Sequence, residues 1–391
     1  MEIGLTDEQV ALRDELRAYF AGLMTAEVLD EMVGGEMGGP ASRAACRKMG
    51  DDGWLGLGWP KEFGGQGRSP IEQQIFYDEA LAAGAPVPML SINSVAPTIM
   101  KFGTQEQKDF YLPRILRGDA HFAIGYSEPG AGTDLASLTT KAVRDGDEWV
   151  INGQKIFTSL ADQADFVWLA CRTDPDAPKH RGISIIIVPT DVEGFSLSPI
   201  RVMGGARTNA TYYDNVRVPF GNLVGELNGG WNLIVNQLNH ERIAIGPPGW
   251  VWRQLRETVK WANETHLPDG RRVIDQEWVQ VNLARVRAKA EFLQLINWKV
   301  AWSATEGRLD VADASSTKVF ATEFYVEAYR LLMEVIGPAS ALKRGSPGAA
   351  LAAGLERAYQ GTLFLTFGGG TNEVQRDLIS VFGLGMPRAI R

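Results

Sequence analysis

The hydrophobic period of this chain changes twice, and that order of periods constrains the fold more than any single motif. Up to about residue 120 the spacing is helical. The capping box Thr6-Asp7-Glu8-Gln9 precedes the stripe Leu12, Leu16, Tyr19 and Phe20. Ser69-Pro70 opens a helix through Phe76, Ala80 and Leu81, and a second capping box, Thr104-Gln105-Glu106-Gln107, leads into Phe110, Leu112 and Ile115. Helices are also predicted over 42–49 and 91–102, with loops over 32–40 and 54–67. From His121 to about Glu226 apolar and polar residues alternate. Asp145-Gly146 predicts a hairpin between 139–144 and 148–151, and Asn152-Gly153 a second turn into 155–159. The runs 166–171 and 183–188 read as buried strands, and 211–218 alternates again. From Asn228 the helical period returns over 231–245, 251–264, 278–305, 312–335 and 349–366, and after Gly368-Gly369-Gly370 over 372–381. The expectation is an α+β chain of three domains: helical over 1–120, a small β-barrel or sandwich over 121–227, and an antiparallel four-helix bundle over 228–391. Few folds insert a β module between two helical regions.

Composition removes several classes of function. The 391 residues, 45% hydrophobic and 22% charged, can build cores of that size. The net charge of -8 offers no basic footprint for nucleic acid or an anionic membrane. No apolar run reaches spanning length and the first residues carry no signal pattern, so the expectation is a cytoplasmic protein without membrane insertion. Cys46 and Cys171 stand far apart and read as buried small hydrophobes. His121, His180, His240 and His266 form no ligand pair, so no metal is expected.

One charged residue is conspicuous by position. Trp231, Ile234, Val235, Leu238, Arg242 and Ile245 repeat at helical spacing, and Glu241 falls on or beside that stripe before Gly246-Pro247-Pro248 ends the helix. A carboxylate at the edge of an apolar face is costly unless paired, hydrogen-bonded or used. Two readings stand open: an ion pair with a neighbouring helix, or a base.

Four runs in register resemble the acyl-CoA dehydrogenase family. They are Tyr126-Ser127-Glu128-Pro129-Gly130-Ala131-Gly132-Thr133-Asp134; Val150-Ile151-Asn152-Gly153-Gln154-Lys155; Val216-Arg217-Val218-Pro219 with Asn222-Leu223-Val224-Gly225; and Gly370-Thr371-Asn372-Glu373-Val374-Gln375-Arg376. The resemblance covers nearly the whole chain. It implies an acyl-CoA dehydrogenase-like fold and FAD-dependent α,β-dehydrogenation of an acyl-CoA thioester. A carboxylate takes the α proton, and the β hydrogen leaves as hydride to flavin N5.

Carried over position by position, the resemblance places Ser127 and Ser159 near flavin N5 and the pyrimidine edge. It places Tyr126 and Phe157 against the isoalloxazine, and Gly132 and Thr133 at the turn that meets pyrophosphate and CoA. Thr371 belongs to the closing signature on the cofactor side. In most straight-chain members the base precedes the Gly-Thr of that signature; here the position is Gly369, which cannot act as one. A smaller set of relatives takes the base from the first helix of the C-terminal domain, the place of Glu241. Arg242 beside it reads as an orienting or structural charge on the substrate side. The Gly369 N–H could donate to the thioester carbonyl, or the glycine could merely break a helix.

A second departure lies at the far end of the cofactor. The family's Arg-x-Phe-Gly pattern is missing from Asp269-Gly270-Arg271-Arg272-Val273-Ile274-Asp275-Gln276-Glu277, and Glu334 replaces an amide where a neighbour's pyrophosphate would approach. This implies that a related subunit supplies the missing half in an α2β2 assembly, rather than a homotetramer, as in the enzymes that shorten steroid side chains. A bulky or branched acyl group and an electron-transfer flavoprotein as acceptor follow by analogy. Two alternatives remain: an oxidase or monooxygenase on the same fold, and a non-catalytic subunit completing another chain's site.

Overall fold

The computed structural model describes residues 4–33, 39–203, 207–244, 246–306 and 310–388; the side chains of 33, 239–244 and 352 lie outside the description. Helices α1 (Asp7–Leu23), α2 (Ala26–Val33), α3 (Pro40–Asp51), α4 (Pro70–Ala83), α5 (Ala96–Phe102) and α6 (Gln105–Leu116) come first. Thr6, Ser69 and Thr104 close reciprocal capping boxes with Gln9, Glu72 and Gln107, which satisfies N–H groups that a helix start leaves open. Leu12, Leu16, Phe20 and Leu23 bury one face of α1. The stretch preceding α5 begins with a wide π turn over Leu90–Val95, next to Pro97, which has no N–H to close an α turn. Helix α2 has no strong signal in the sequence.

Strands β1 (Phe122–Gly125), β2 (Lys141–Asp145), β3 (Glu148–Lys155), β4 (Phe166–Arg172), β5 (Ile183–Pro189), β6 (Phe195–Arg201), β7 (Arg207–Pro219) and β8 (Leu223–Val224) form one sheet in the order β6-β7-β3-β2-β4-β5-β8. Strand β1 runs parallel to β4, pairing Phe122 with Phe166. The path ends at β6 and β8, so among the described residues the expected barrel is an open sheet. Burial on both faces explains the apolar run of β4 and that of β5, which only Ser184 interrupts. Trp168, Ala170, Ile183, Ile185 and Ile187 face the core shared with the first helices, and Val167, Leu169, Cys171, Ile186 and Val188 face a second core. Asn152-Gly153 is not a turn. Strand β3 runs through it with a register shift against β7, where Asn215 N–H donates to Asn152 Oδ1 at 3.0 Å and Asn152 Nδ2 donates to Asn215 Oδ1 at 3.2 Å. The Asn-Gly signal marks a β-bulge because its partner across the ladder satisfies the amide.

Helices α7 (Gly230–Ala244), α8 (Gly249–Glu264), α9 (Glu277–Thr305), α10 (Val311–Ile336), α11 (Gly354–Thr362) and α12 (Asn372–Leu378) complete the chain. The single helix predicted over 349–366 is α11 flanked by 3-10 turns at Ala350–Ala353 and Leu363–Thr366. Helix α10 is buried along its length and packs against all five others. No described helix is long and apolar enough to cross a membrane.

Helix α7 is pinned at both ends. At its start a Cβ on Gly230 would lie 2.8 Å from the Ile183 carbonyl oxygen, so only glycine lets the helix sit on β5. Asn228 N–H donates to Ser184 Oγ at 2.8 Å, and Thr173 Oγ1 donates to Asn228 Oδ1 at 2.6 Å. Past its end, Asn297 Nδ2 donates to the Gly246 carbonyl at 2.8 Å and the Tyr325 hydroxyl to the Pro247 carbonyl at 2.6 Å. Leu233, Ile234 and Gln237 form its buried face. Val235, which the spacing placed on the stripe, is 43% exposed, because the packed face turns one position toward Leu233.

Candidate active site

Two separate networks hold the residues that the sequence singles out, apart from Glu241 and Arg242. The first surrounds the turn after β1. Ile156 N–H donates to the Ser127 carbonyl at 2.8 Å, which ties that turn to the end of β3. The loop that follows is clamped to β7: Thr158 N–H donates to the Asn209 carbonyl at 2.9 Å, and Asn209 Nδ2 returns a bond to the Thr158 carbonyl at 3.2 Å. Ser159 and Thr208 share a hydroxyl bond at 3.1 Å. That clamping holds Phe157 at φ +59 with its ring 61% exposed, a left-handed backbone that bulky residues rarely adopt. Ser127, Phe157 and Ser159 are thus gathered within one network. Gly132 and Thr133 lie exposed on the same turn, where a Cβ on Gly132 would meet nothing within 4 Å. Bare backbone of that kind admits a phosphate closely. Tyr126 is buried: its hydroxyl accepts from Trp168 Nε1 at 3.1 Å, so its ring points into the core beneath this surface.

Under this surface lies an ion pair that sequence reasoning missed. Glu128 Oε1 accepts from Lys155 Nζ at 2.8 Å and from Thr140 N–H at 2.8 Å. Its Oε2 accepts from Thr139 N–H and Oγ1, each at 2.7 Å. Lys155 also donates to the Tyr126 carbonyl at 3.0 Å. Burial pushes the Glu128 carboxyl up, but the Lys155 charge and the surrounding donors outweigh it and bring it down to about 2. Burial lowers Lys155, and Glu128 restores part of the loss. The signal was available: both charges stand inside the family-like runs, and Lys155 ends a strand whose Trp149 and Ile151 are buried.

The second network builds the closing turn. Gly369 and Gly370 take φ +67 and +88. The Gly369 N–H has no hydrogen-bond acceptor among the described residues. Gln375 Nε2 donates to the Gly369 carbonyl at 2.9 Å, and Lys318 Nζ donates to the Gly370 carbonyl at 2.9 Å and to Asn372 Oδ1 at 2.6 Å. Thr371 is the N-cap of α12, its hydroxyl accepting from Val374 N–H at 3.4 Å. Lys318 and Gln375 were not anticipated either, although a lysine four residues from Ala314 and Thr322 on a buried helix face is a visible signal. Position 241 stands four residues past Gln237 and seven past Ile234, the repeat of α7's buried face. The side chains of Glu241 and Arg242 lie outside the described residues.

Comparison with known proteins decides the family. The acyl-CoA dehydrogenase N-terminal, middle and C-terminal domain models match residues 6–119, 123–216 and 228–383. The chain belongs to the acyl-CoA dehydrogenase family. Acyl-CoA dehydrogenase FadE26 of Mycobacterium tuberculosis is 60% identical over 401 residues, covering 100% of both chains. Among solved structures, a chain of the ChsE4-ChsE5 complex from Mycobacterium tuberculosis superposes with a TM-score of 0.93 at 59% identity, and one of the Tcur3481-Tcur3483 steroid ACAD with 0.94 at 52%, each covering 100% of both chains. This acyl-CoA dehydrogenase is therefore an oxidoreductase acting on a CH–CH bond, in a family of FAD flavoproteins.

Proposed function

We propose that this chain dehydrogenates the α,β bond of a bulky or branched, steroid side-chain-like acyl-CoA, with Glu241 as the α-proton base. The observation that carries the reading is the fixing of α7 at both ends, with position 241 on the repeat of buried Ile234 and Gln237. A carboxylate on a dry face is a stronger base than one in water. Arg242 orients that end of the helix toward the thioester. The unclaimed Gly369 N–H donates to the carbonyl oxygen as enolate charge develops, and a glycine there also leaves room for a large acyl group.

The residues around the first turn fit FAD. Ser127 and Ser159 offer hydroxyls, Phe157 an exposed side chain, and Gly132 and Thr133 an open turn for the pyrophosphate and CoA, while Tyr126 supports the turn from beneath. The Thr371 hydroxyl, which accepts within its own cap, keeps its proton for the cofactor side. FAD, when bound, supplies the acceptor for the two electrons that leave with the β hydrogen.

A related subunit completes the assembly as α2β2, with an electron-transfer flavoprotein as acceptor. The charges near the missing Arg-x-Phe-Gly pattern support this. Arg271 donates to Asp269 at 2.8 Å and Arg272 to Asp275 at 2.7 Å, so both guanidinium groups are engaged locally, while Glu334 stands exposed. The reading divides the chain at 1–120, 121–227 and 228–391.

Co-expression with a related candidate subunit, followed by flavin quantitation and single-turnover bleaching with a steroid side-chain acyl-CoA, tests it. Glu241→Gln is expected to keep the flavin and lower the rate about 10²- to 10⁴-fold. Full activity in that variant would overturn the assignment of the base. A full flavin complement in this chain alone would overturn the shared site.

A further inference from the structure

We infer that Lys318 and Gln375 are positioning residues that aim the Gly369 N–H at the thioester carbonyl oxygen, by gripping the two carbonyls that follow it. The inference rests on the assignment of that N–H as a donor and adds the residues that fix its direction.

Two consecutive carbonyls are held by side chains from different helices. Gln375, on α12, donates from Nε2 to the Gly369 carbonyl at 2.9 Å, and Lys318, on α10, donates from Nζ to the Gly370 carbonyl at 2.9 Å. Lys318 reaches the Thr366 carbonyl at 3.2 Å as well, so one ammonium spans the turn from its first to its last residue. Both side chains are fully buried. Asn372, 3% exposed, fixes the ammonium in turn: its Oδ1 accepts from Lys318 at 2.6 Å, and its Nδ2 donates to Thr322 Oγ1 at 3.1 Å. The peptide planes on either side of Gly370 are thereby set. The Gly369 N–H belongs to the plane before them, and its direction follows from the left-handed φ of +67 at Gly369.

Ending a helix does not need this apparatus. Phe364 already accepts from Phe367 N–H at 3.0 Å, and Thr371 caps α12. A buried ammonium is a costly substitute for an ordinary turn bond. Gln375 is also costly, because its Oε1 is buried without a partner among the described residues. A Cβ on Gly370 would stand 2.7 Å from Gln375 Nε2, so amide and glycine are fitted to each other. Expensive polar groups that converge on one short turn point to a geometric requirement at that turn.

The test uses the holoenzyme, with its partner subunit if that is required for flavin loading, and the CoA thioester of 4-(dimethylamino)cinnamic acid. Absorbance of this probe moves to the red as its carbonyl is polarised. The wild type and Glu241→Gln are expected to shift the bound probe. Lys318→Met and Gln375→Met are expected to bind it, retain flavin and lose most of the shift. Turnover should fall roughly tenfold to a hundredfold with KM little changed and the pH profile in place. Loaded variants that shift the probe as the wild type does would overturn the positioning role and leave the Gly369 donor standing. No shift in the wild type would overturn the donor and the inference together. If Lys318→Met does not fold, Gln375→Met decides, since it removes a neutral group.

Discussion

Replacing Lys155 with methionine removes a wholly buried cation while keeping its length, and its effect can be worked from the contacts. Glu128 loses the 2.8 Å bond to Lys155 but keeps Thr140 N–H at 2.8 Å and two donors from Thr139 at 2.7 Å. Its carboxyl lies at about 2 against an ordinary 4.5. At about 1.4 kcal/mol per pKa unit this corresponds to roughly 3 kcal/mol of stability. Because the folded value is depressed, that contribution is fully present above about pH 4.5 and is lost as pH falls toward 2. Lys155 works the other way. Burial lowers it, so holding it charged in the fold at neutral pH takes some stability back. The intact pair is therefore worth less than Glu128 alone suggests. Lys155→Met strands a buried carboxylate, and with three donors left the loss should be about 3 kcal/mol, the lower end for a broken buried pair. Urea unfolding measures it, and Glu128→Gln with Lys155→Met should recover at least half. The slope of stability between pH 5 and 2 should also flatten in Glu128→Gln. A loss under about 1 kcal/mol for Lys155→Met, or additivity in the double variant, would refute the reasoning. The same carboxylate anchors the turn that carries Ser127 and Gly132, so flavin affinity should fall in Lys155→Met as well.

Three further substitutions probe other parts of the site and its supports. Gly230→Ala puts a Cβ 2.8 Å from the Ile183 carbonyl oxygen and should cost about 1–3 kcal/mol in urea unfolding and lower turnover by moving α7. Phe157→Ala, at a ring 61% exposed, should leave stability within about 0.5 kcal/mol but reduce flavin affinity in a fluorescence titration. Asp78 is buried, and its carboxyl is pushed well above the usual range by burial. Its folded value exceeds its unfolded one, so stability falls as pH rises past the ordinary carboxylate range, and Asp78→Asn should raise Tm at pH 7 and weaken that dependence.

The sequence disclosed the fold where local chemistry and burial agree. The capping boxes at Thr6 and Thr104 start α1 and α6 where their spacing says, and the apolar runs of β4 and β5 are strands because both faces are covered. It misled where a distant partner alters a local preference. Asn152-Gly153 carries turn chemistry, yet Asn215 on β7 recruits it into a bulge. Val235 has the spacing of a core residue, but β5 and α10 meet the neighbouring side of α7. The same holds for the site. The motifs pointed to Ser127, Phe157 and Ser159, which the fold gathers, whereas Lys155 and Lys318 act through partners from 27 residues away for Glu128 to 54 for Asn372, and Gln375 through a bent turn. The local pattern shows that Lys155 and Lys318 stand on buried faces, but not which distant group meets them.

The pinning of α7 also dictates when the site can exist during synthesis. Its first turn needs β5, some 45 residues earlier, and its far end needs Asn297 and Tyr325, 51 and 78 residues later. The closing turn waits longer still, since Gln375, which holds the Gly369 carbonyl, follows Gly230 by 145 residues. Until Asn297 and Tyr325 have left the ribosome, α7 has neither of these supports past its far end. On the proposed roles, flavin and thioester would meet a finished pocket only after Gln375 has emerged, and a product interrupted before it would lack the grip on the Gly369 carbonyl.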